Sequence, residues 1–153
     1  MLFRPVCLHF EGGLVITIRP EVTPLTAPYW ESAKRGVVLL QRCDHDGQIW
    51  HPPQPNCPEC GASDWSWEPS NGQGTLYSYA TVRHAAHQVV AERLPYIVCL
   101  VELSEGPIIL CNLLQSVDLP CDIGADVEII LGPSLAGFDL PQARIQRTPG
   151  SES

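Results

Sequence analysis

C-D-H-D-G-Q-I-W-H-P-P-Q-P-N-C-P-E-C-G, residues 43 to 61, is the stretch on which the fold turns. It begins and ends on one frame: a cysteine, two residues, a second ligand-type residue, then glycine. Cys57-Pro58-Glu59-Cys60-Gly61 reads as half of a zinc site. Cys43-Asp44-His45-Asp46-Gly47 repeats the frame with Asp46 where the second cysteine would stand. Two ligands separated by two residues can reach one metal, and two such turns complete a tetrahedron. A glycine directly after the second ligand lets the chain turn back at positive φ. That shared register points to Asp46, rather than His45, as the fourth corner. Ten residues separate Asp46 from Cys57, a workable span for the joining loop.

The candidate metal set is therefore Cys43, Asp46, Cys57 and Cys60. Aspartate ligates zinc at about 2.0–2.2 Å. It is harder than thiolate, so the site is weaker than a four-cysteine one. Three readings stay open. The set holds a structural zinc, with His45 or His51 able to swing in. It has lost its metal because Asp46 replaces a cysteine, and Trp50, Trp65 and Trp67 hold the ribbon. Or it serves iron or redox chemistry, although a rubredoxin-type iron wants four thiolates and only three are present. A catalytic zinc on Cys43, Cys57, Cys60 and water is formally available, but the knuckles bring no general base beyond Asp46 or Glu59.

Upstream, T-A-P-Y-W-E-S-A-K-R over residues 26 to 35 predicts a short helix. Thr26 is the expected cap, Pro28 falls in the first turn, Lys34 and Arg35 come late, and Gly36 stops it. Tyr29, Trp30 and Ala33 share a face. That face covers core or presents its two aromatic rings to a partner. V-V-L-L-Q-R-C then runs as a strand into the first knuckle. The prolines at 52, 53 and 55 stiffen the approach to the second. D-W-S-W-E-P places Trp65 and Trp67 on one side of a strand.

Downstream, the pattern changes to short strands. T-L-Y-S-Y-A-T-V (75–82) alternates at period two. Y-I-V-C-L-V-E-L (96–103) and I-I-L-C-N-L-L (108–114) flank the tight turn Ser104-Glu105-Gly106-Pro107 and make a hairpin. A-D-V-E-I-I-L (125–131) is a fourth strand, entered through Gly124, and A-R-I-Q-R (143–147) a fifth. Five short strands without a long helix predict a small closed barrel of the OB type. The expected class is mainly β, laid out as an N-terminal extension (1–22), helix (23–36), ribbon (37–70), barrel (71–147) and frayed tail (148–153).

The extension M-L-F-R-P-V-C-L-H-F-E-G-G-L-V-I-T-I-R-P-E-V fits poorly with the rest and is assigned no function. Residues 14 to 18 read as a strand added to a sheet edge. A competing reading is that residues 1–14 are not translated: Glu11-Gly12-Gly13 can be encoded by a bacterial ribosome-binding sequence and Val15 by a GTG start codon.

The 153 residues carry 44% hydrophobic and 17% charged residues, enough apolar content for a core. Fifteen prolines and twelve glycines favour turns. Net charge is −8, which counts against nucleic acid and anionic membrane. Residues 69 to 147 hold four arginines against eight acids, so an OB-fold nucleic-acid binder stacking bases on Tyr77 and Tyr79 is disfavoured. Seven cysteines with close pairing at 57 and 60 read as a metal protein of the reducing cytoplasm, and Cys99 and Cys111 as small core hydrophobes. No apolar run reaches the roughly 18 residues of a membrane helix, and no signal peptide is visible. Arg83, His84, His87 and Arg93 fall in the long segment between the first two barrel strands. They are candidates for ligand contact, with an ordinary surface loop as the bland alternative. No nucleophile triad, phosphate loop or paired carboxylates appear.

The order P-Y-W, L-L-Q-R-C, H-P-P-Q-P-N-C-P-E-C-G, W-x-x-S-x-G-x-G-T-x-Y-S-Y, L-P-Y-I-V-C-L-V-E-L-S-E-G and I-G-A-D-V-E-I-I-L resembles a known family. It is that of rubredoxin-like zinc-ribbon plus OB-fold proteins, a domain of unknown function associated with acyl-CoA metabolism. The resemblance covers residues 24 to 147. It implies Cys43, Cys57 and Cys60 as metal ligands, with Asp46 aligned to the family's fourth cysteine. It implies a non-catalytic subunit of an acyl-CoA thiolase- or aldolase-type complex degrading steroid, aromatic or fatty acyl-CoA. It further implies a thiolase-like partner that carries the catalytic residues, a hetero-oligomer, and acyl-CoA at the interface. The alternative is a stand-alone acyl-CoA binding module, its phosphates met by Arg83, Arg93 or Arg42.

Overall fold

Proline and glycine punctuation leaves little room for long helices, and the chain folds as short strands. The structure is a computed structural model that describes residues 4–10, 13–84, 88–91, 93–133 and 138–146. Strands β1 (Arg4–Phe10) and β2 (Gly13–Arg19) form an antiparallel hairpin, with Arg4 opposite Arg19 and Phe10 opposite Gly13. The strand expected over residues 14 to 18 thus exists, but its partner is the preceding segment rather than a sheet edge. The two-residue link lets the chain pair locally before any distant edge is available.

Helix α1 (Ala27–Ala33) follows. Thr26 does not cap it with its side chain. Its backbone is already helical, and its hydroxyl accepts the Thr23 amide at 2.9 Å instead. Tyr29 and Trp30 are each 3% exposed, so the helix closes the core and does not present those rings. Trp30 meets Phe138 edge-on at 5.6 Å, and Tyr29 lies 5.4 Å from the His51 ring.

Strands β3 (Leu39–Cys43), β4 (Ile49–Trp50) and β5 (Trp65–Pro69) make the ribbon sheet, in the order β4-β3-β5. Trp65 packs edge-on against both Trp67 and Trp50, at 5.4 and 6.4 Å. Trp50, Cys43 and Cys57 form a small core of their own.

The remaining strands are β6 (Gln73–Val82), β7 (Tyr96–Leu103), β8 (Ile108–Leu113), β9 (Asp126–Pro133) and β10 (Asp139–Ile145). A one-turn helix α2 (Gln88–Ala91) lies between β6 and β7. The five strands close as β10-β8-β7-β6-β9, with a parallel pair between β10 and β8 and antiparallel pairs elsewhere. This is the OB-type barrel the strand pattern predicts. The last strand starts four residues earlier than expected. Pro141, which argues against a strand in sequence, is accommodated opposite Leu131. Arg147 and the tail lie outside the described residues.

Alternate residues of β7 and β8 fill the barrel: Ile97, Cys99, Val101 and Leu103 from one, Ile109, Cys111 and Leu113 from the other. Leu76, Val127, Ile129 and Ala143 complete it. Each fully buried large aliphatic side chain contributes about 1.5–3 kcal/mol relative to exposure. A register shift between Leu76 and Ser78 turns Leu76 inward while leaving Tyr77, Ser78 and Tyr79 exposed.

Candidate metal centre

The two knuckles are copies of one turn. In the first, the Cys43 amide donates to the Gln48 carbonyl at 2.8 Å and the Gly47 amide to the Cys43 carbonyl at 3.1 Å. In the second, Cys57 donates to Ala62 at 2.9 Å and Gly61 to Cys57 at 3.0 Å. Gly47 and Gly61 have φ of 76° and 75°, a region closed to most side chains. Asp46 and Cys60 therefore occupy equivalent positions, each just before the turning glycine.

That equivalence brings four ligand atoms together. The donors of Cys43, Asp46, Cys57 and Cys60 all lie within 4.8 Å of one another. Cys43 Sγ is 3.6 Å from Cys60 Sγ, and Cys57 Sγ is 3.6 and 3.7 Å from the two Asp46 oxygens. A tetrahedral zinc with bonds of about 2.3 Å to sulfur and about 2.0 Å to oxygen needs edges of about 3.8 and about 3.5 Å. The donor set fits zinc on both chemistry and spacing. The Gln48 amide holds Asp46 Oδ1 at 2.9 Å, and the His45 amide points at Cys43 Sγ at 3.4 Å.

The groups also perturb one another. The Gln48 amide, then hydrogen bonds from the cysteines, hold the Asp46 carboxyl down at about 2. Burial opposes ionisation of Cys57, but the amides of Cys60 and Glu59 and the thiols of Cys60 and Cys43 pull its pKa down. The Ala62 amide favours the Cys60 thiolate, yet Asp46, burial and the thiols of Cys43 and Cys57 push it up to about 12. Crowded anions of this kind keep a thiol proton until a divalent cation displaces it.

Neither histidine belongs to the cluster. The His45 side chain is exposed, and His51 is packed against Tyr29, where burial lowers its pKa to about 4. Sequence reading also missed Gln41. This side chain, 0% exposed, accepts the Gln54 amide at 2.6 Å and donates to the Gln54 carbonyl at 3.0 Å. It ties the proline-rich approach of the second knuckle to β3, the strand that ends in the first. The only sequence signal was a polar residue placed directly after the apolar run V-V-L-L. Trp65 Nε1 donates to the Pro55 carbonyl at 3.0 Å and fastens the same approach from β5.

The loop candidates do not assemble. Arg83, His84 and Arg93 are exposed, and among the described residues no hydrogen bond or ion pair joins their side chains. His87 lies outside the described residues. Arg42 is paired with Glu68 at 3.1 Å on the ribbon surface. An open cleft of about 440 Å³ between the first knuckle and the β7–β8 turn is lined by Gln48, Trp50, His51, Glu105 and Pro107, without a nucleophile and base in partnership.

The barrel carries a second feature. The outer face of β7 and β8 bears Val98, Leu100, Ile108 and Leu110, with Leu100 directly opposite Leu110. Leu110 is 64% exposed. A strand with one solvated face normally alternates apolar with polar; here four of the outward positions are aliphatic, beside Tyr96, Glu102 and Asn112. Among the described residues, no helix is long and apolar enough to cross a membrane.

Comparison with known proteins matches both parts of the chain. The family model described as the ChsH2 rubredoxin-like zinc ribbon domain matches residues 30–66, and that of the ChsH2 C-terminal OB-fold domain residues 67–131. A probable enoyl-CoA hydratase alpha subunit of Thermomonospora curvata is 38% identical over 109 residues, covering 71% of this chain and 34% of the relative. The 3-oxo-4,17-pregnadiene-20-carboxyl-CoA hydratase alpha subunit of Mycobacterium tuberculosis is 34% identical over 89 residues, covering 58% of this chain and 28% of the relative. The chain thus spans about a third of the length of these curated relatives. Among solved structures, a chain of the Ltp2-ChsH2(DUF35) aldolase is 34% identical with a TM-score of 0.73. That alignment covers 83% of this chain and 98% of the other. The chain belongs to the ChsH2 family of proteins that join a rubredoxin-like zinc ribbon to a C-terminal OB-fold.

Proposed function

We propose that this chain is a non-catalytic subunit of an acyl-CoA-processing complex, with the reacting residues on a thiolase-like partner of the aldolase or thiolase type. Its substrates in this reading are steroid, aromatic or fatty acyl-CoA thioesters. The observation that carries the proposal is the aliphatic outer face around Leu110, on the strand pair that OB folds use for binding. A nucleic-acid face would need aromatic platforms and cations there; this one offers Val98, Leu100, Ile108 and Glu102. The relatives support a subunit role, since they are named as hydratase alpha subunits and as part of an Ltp2-ChsH2(DUF35) aldolase.

In this proposal the zinc set is structural. Zinc would supply a cross-link between the knuckles, and the chain's own residues do the rest. Gln48 orients the Asp46 carboxylate, Gln41 fixes the second approach, and Trp50, with Trp65 packed against it, shares a small core with Cys43 and Cys57. Co-expression with a thiolase-like protein from the native host, followed by size-exclusion chromatography with light scattering, tests the reading. A stable hetero-oligomer is expected. Two separate peaks at micromolar concentration would count against it.

A further inference from the structure

We propose that Cys99 and Cys111 form a redox-active dithiol, a site of reversible disulfide formation inside the barrel. The two residues are direct partners on antiparallel β7 and β8. Opposed residues in such a pair have Cα atoms about 4.5–5.5 Å apart, inside the roughly 4.4–6.8 Å range that a disulfide spans. Both side chains point to the same side of the sheet, into the core, at 1% and 4% exposure. Both are free thiols.

The pair is electronically unequal. The neighbouring Cys111 thiol favours ionisation of Cys99 against burial, while the Cys99 sulfur and burial hold the Cys111 proton in place, and Cys111 Sγ donates to the Ile109 carbonyl at 3.8 Å. Sequence reading took both as small core hydrophobes; only the strand register makes them partners.

The oxidant is a peroxide. The Cys99 thiolate attacks one peroxide oxygen, the O–O bond breaks, and Cys99 sulfenic acid and hydroxide form. Cys111 then attacks the Cys99 sulfur, an S–S bond forms, and water leaves. In sum, two thiols and one hydrogen peroxide give one disulfide and two waters. A small-molecule dithiol reverses the step by exchange.

Cys121 is a half-buried thiol on the β8–β9 loop, accepting a hydrogen bond from Gln115 Nε2 at 3.2 Å. It is the natural competitor for oxidation. The test treats the full chain, loaded with zinc to protect the knuckles, with hydrogen peroxide. Remaining thiols are alkylated in denaturant and digested peptides are read by mass spectrometry. The expected product joins the Cys99 and Cys111 peptides with loss of two hydrogen masses, is reversed by dithiothreitol, and persists in Cys121→Ser. The proposal is overturned if peroxide modifies Cys121 while Cys99 and Cys111 remain fully alkylated, or if the only new bond joins Cys121.

Discussion

Asp46 and Cys60 are structural equivalents. Each stands one residue before a glycine of nearly identical positive φ, in turns closed by the same two backbone hydrogen bonds. The carboxylate therefore occupies a thiolate's place without distorting the turn. Asp46→Cys is expected to bind zinc more tightly, because thiolate is the softer ligand. Competition with a chromogenic chelator will show slower zinc release than wild type; unchanged release would mean that position 46 does not reach the metal.

Cys57→Ser removes a buried candidate ligand that is 3% exposed. Structural zinc binding is worth on the order of 10 kcal/mol, coupled directly to folding of its module. The variant should lose zinc by elemental analysis and lose the tryptophan signals of the ribbon in near-ultraviolet circular dichroism. The far-ultraviolet signal of the barrel should largely remain. A variant that melts like wild type would remove zinc from the account of ribbon stability.

Gln41→Leu keeps the size of the side chain but leaves the Gln54 amide and carbonyl without their partner. Gln54 is itself exposed, so water takes up part of the lost bonding and the cost is about 1 kcal/mol, the low end for an unpaired group. A fall of that order in urea-derived stability is expected, together with faster proteolysis near residues 52 to 56. An unchanged midpoint would mean that water replaces the glutamine.

His51 sets a pH dependence. Burial lowers its folded pKa to about 4 from 6.5. The neutral ring is the folded form, so its contribution is fully present above about pH 6.5 and is lost as pH falls toward 4. The full loss is at most about 3 kcal/mol. Denaturant titrations between pH 7 and pH 4 should show this slope in wild type and a flatter one in His51→Phe. Equal slopes would assign the dependence to other groups.

The general fold was readable because two signals were local. The cysteine spacing of residues 43 to 61 and the two apolar runs at 96–103 and 108–114, flanking a Ser-Glu-Gly-Pro turn, each fix structure without distant information. What escaped depended on pairing. The role of Gln41 depends on where Gln54 lies, thirteen residues away. The hairpin partner of β2 is a segment with no strand alternation clear enough to stand out. Pro141 disguised the start of β10. The opposition of Cys99 and Cys111 follows only from the register of the β7–β8 turn. Leu110 was legible in principle, since aliphatic residues at outward positions of an antiparallel strand leave that face in need of a cover.

Leu110→Glu separates docking from folding. At 64% exposure the substitution should change stability by less than about 0.5 kcal/mol. If the residue is a central contact, partner affinity should fall by about 2 kcal/mol or more, roughly thirtyfold, in calorimetry with the co-purified partner. Unchanged affinity would move the interface elsewhere on the molecule.

The most direct measurement is acyl-CoA thioester turnover by the purified chain alone, by its thiolase-like partner alone, and by the two together. The account predicts no turnover by this chain in isolation and activity only where the partner is present. Steady thioester conversion by the isolated chain, free of any partner by mass spectrometry, would contradict it.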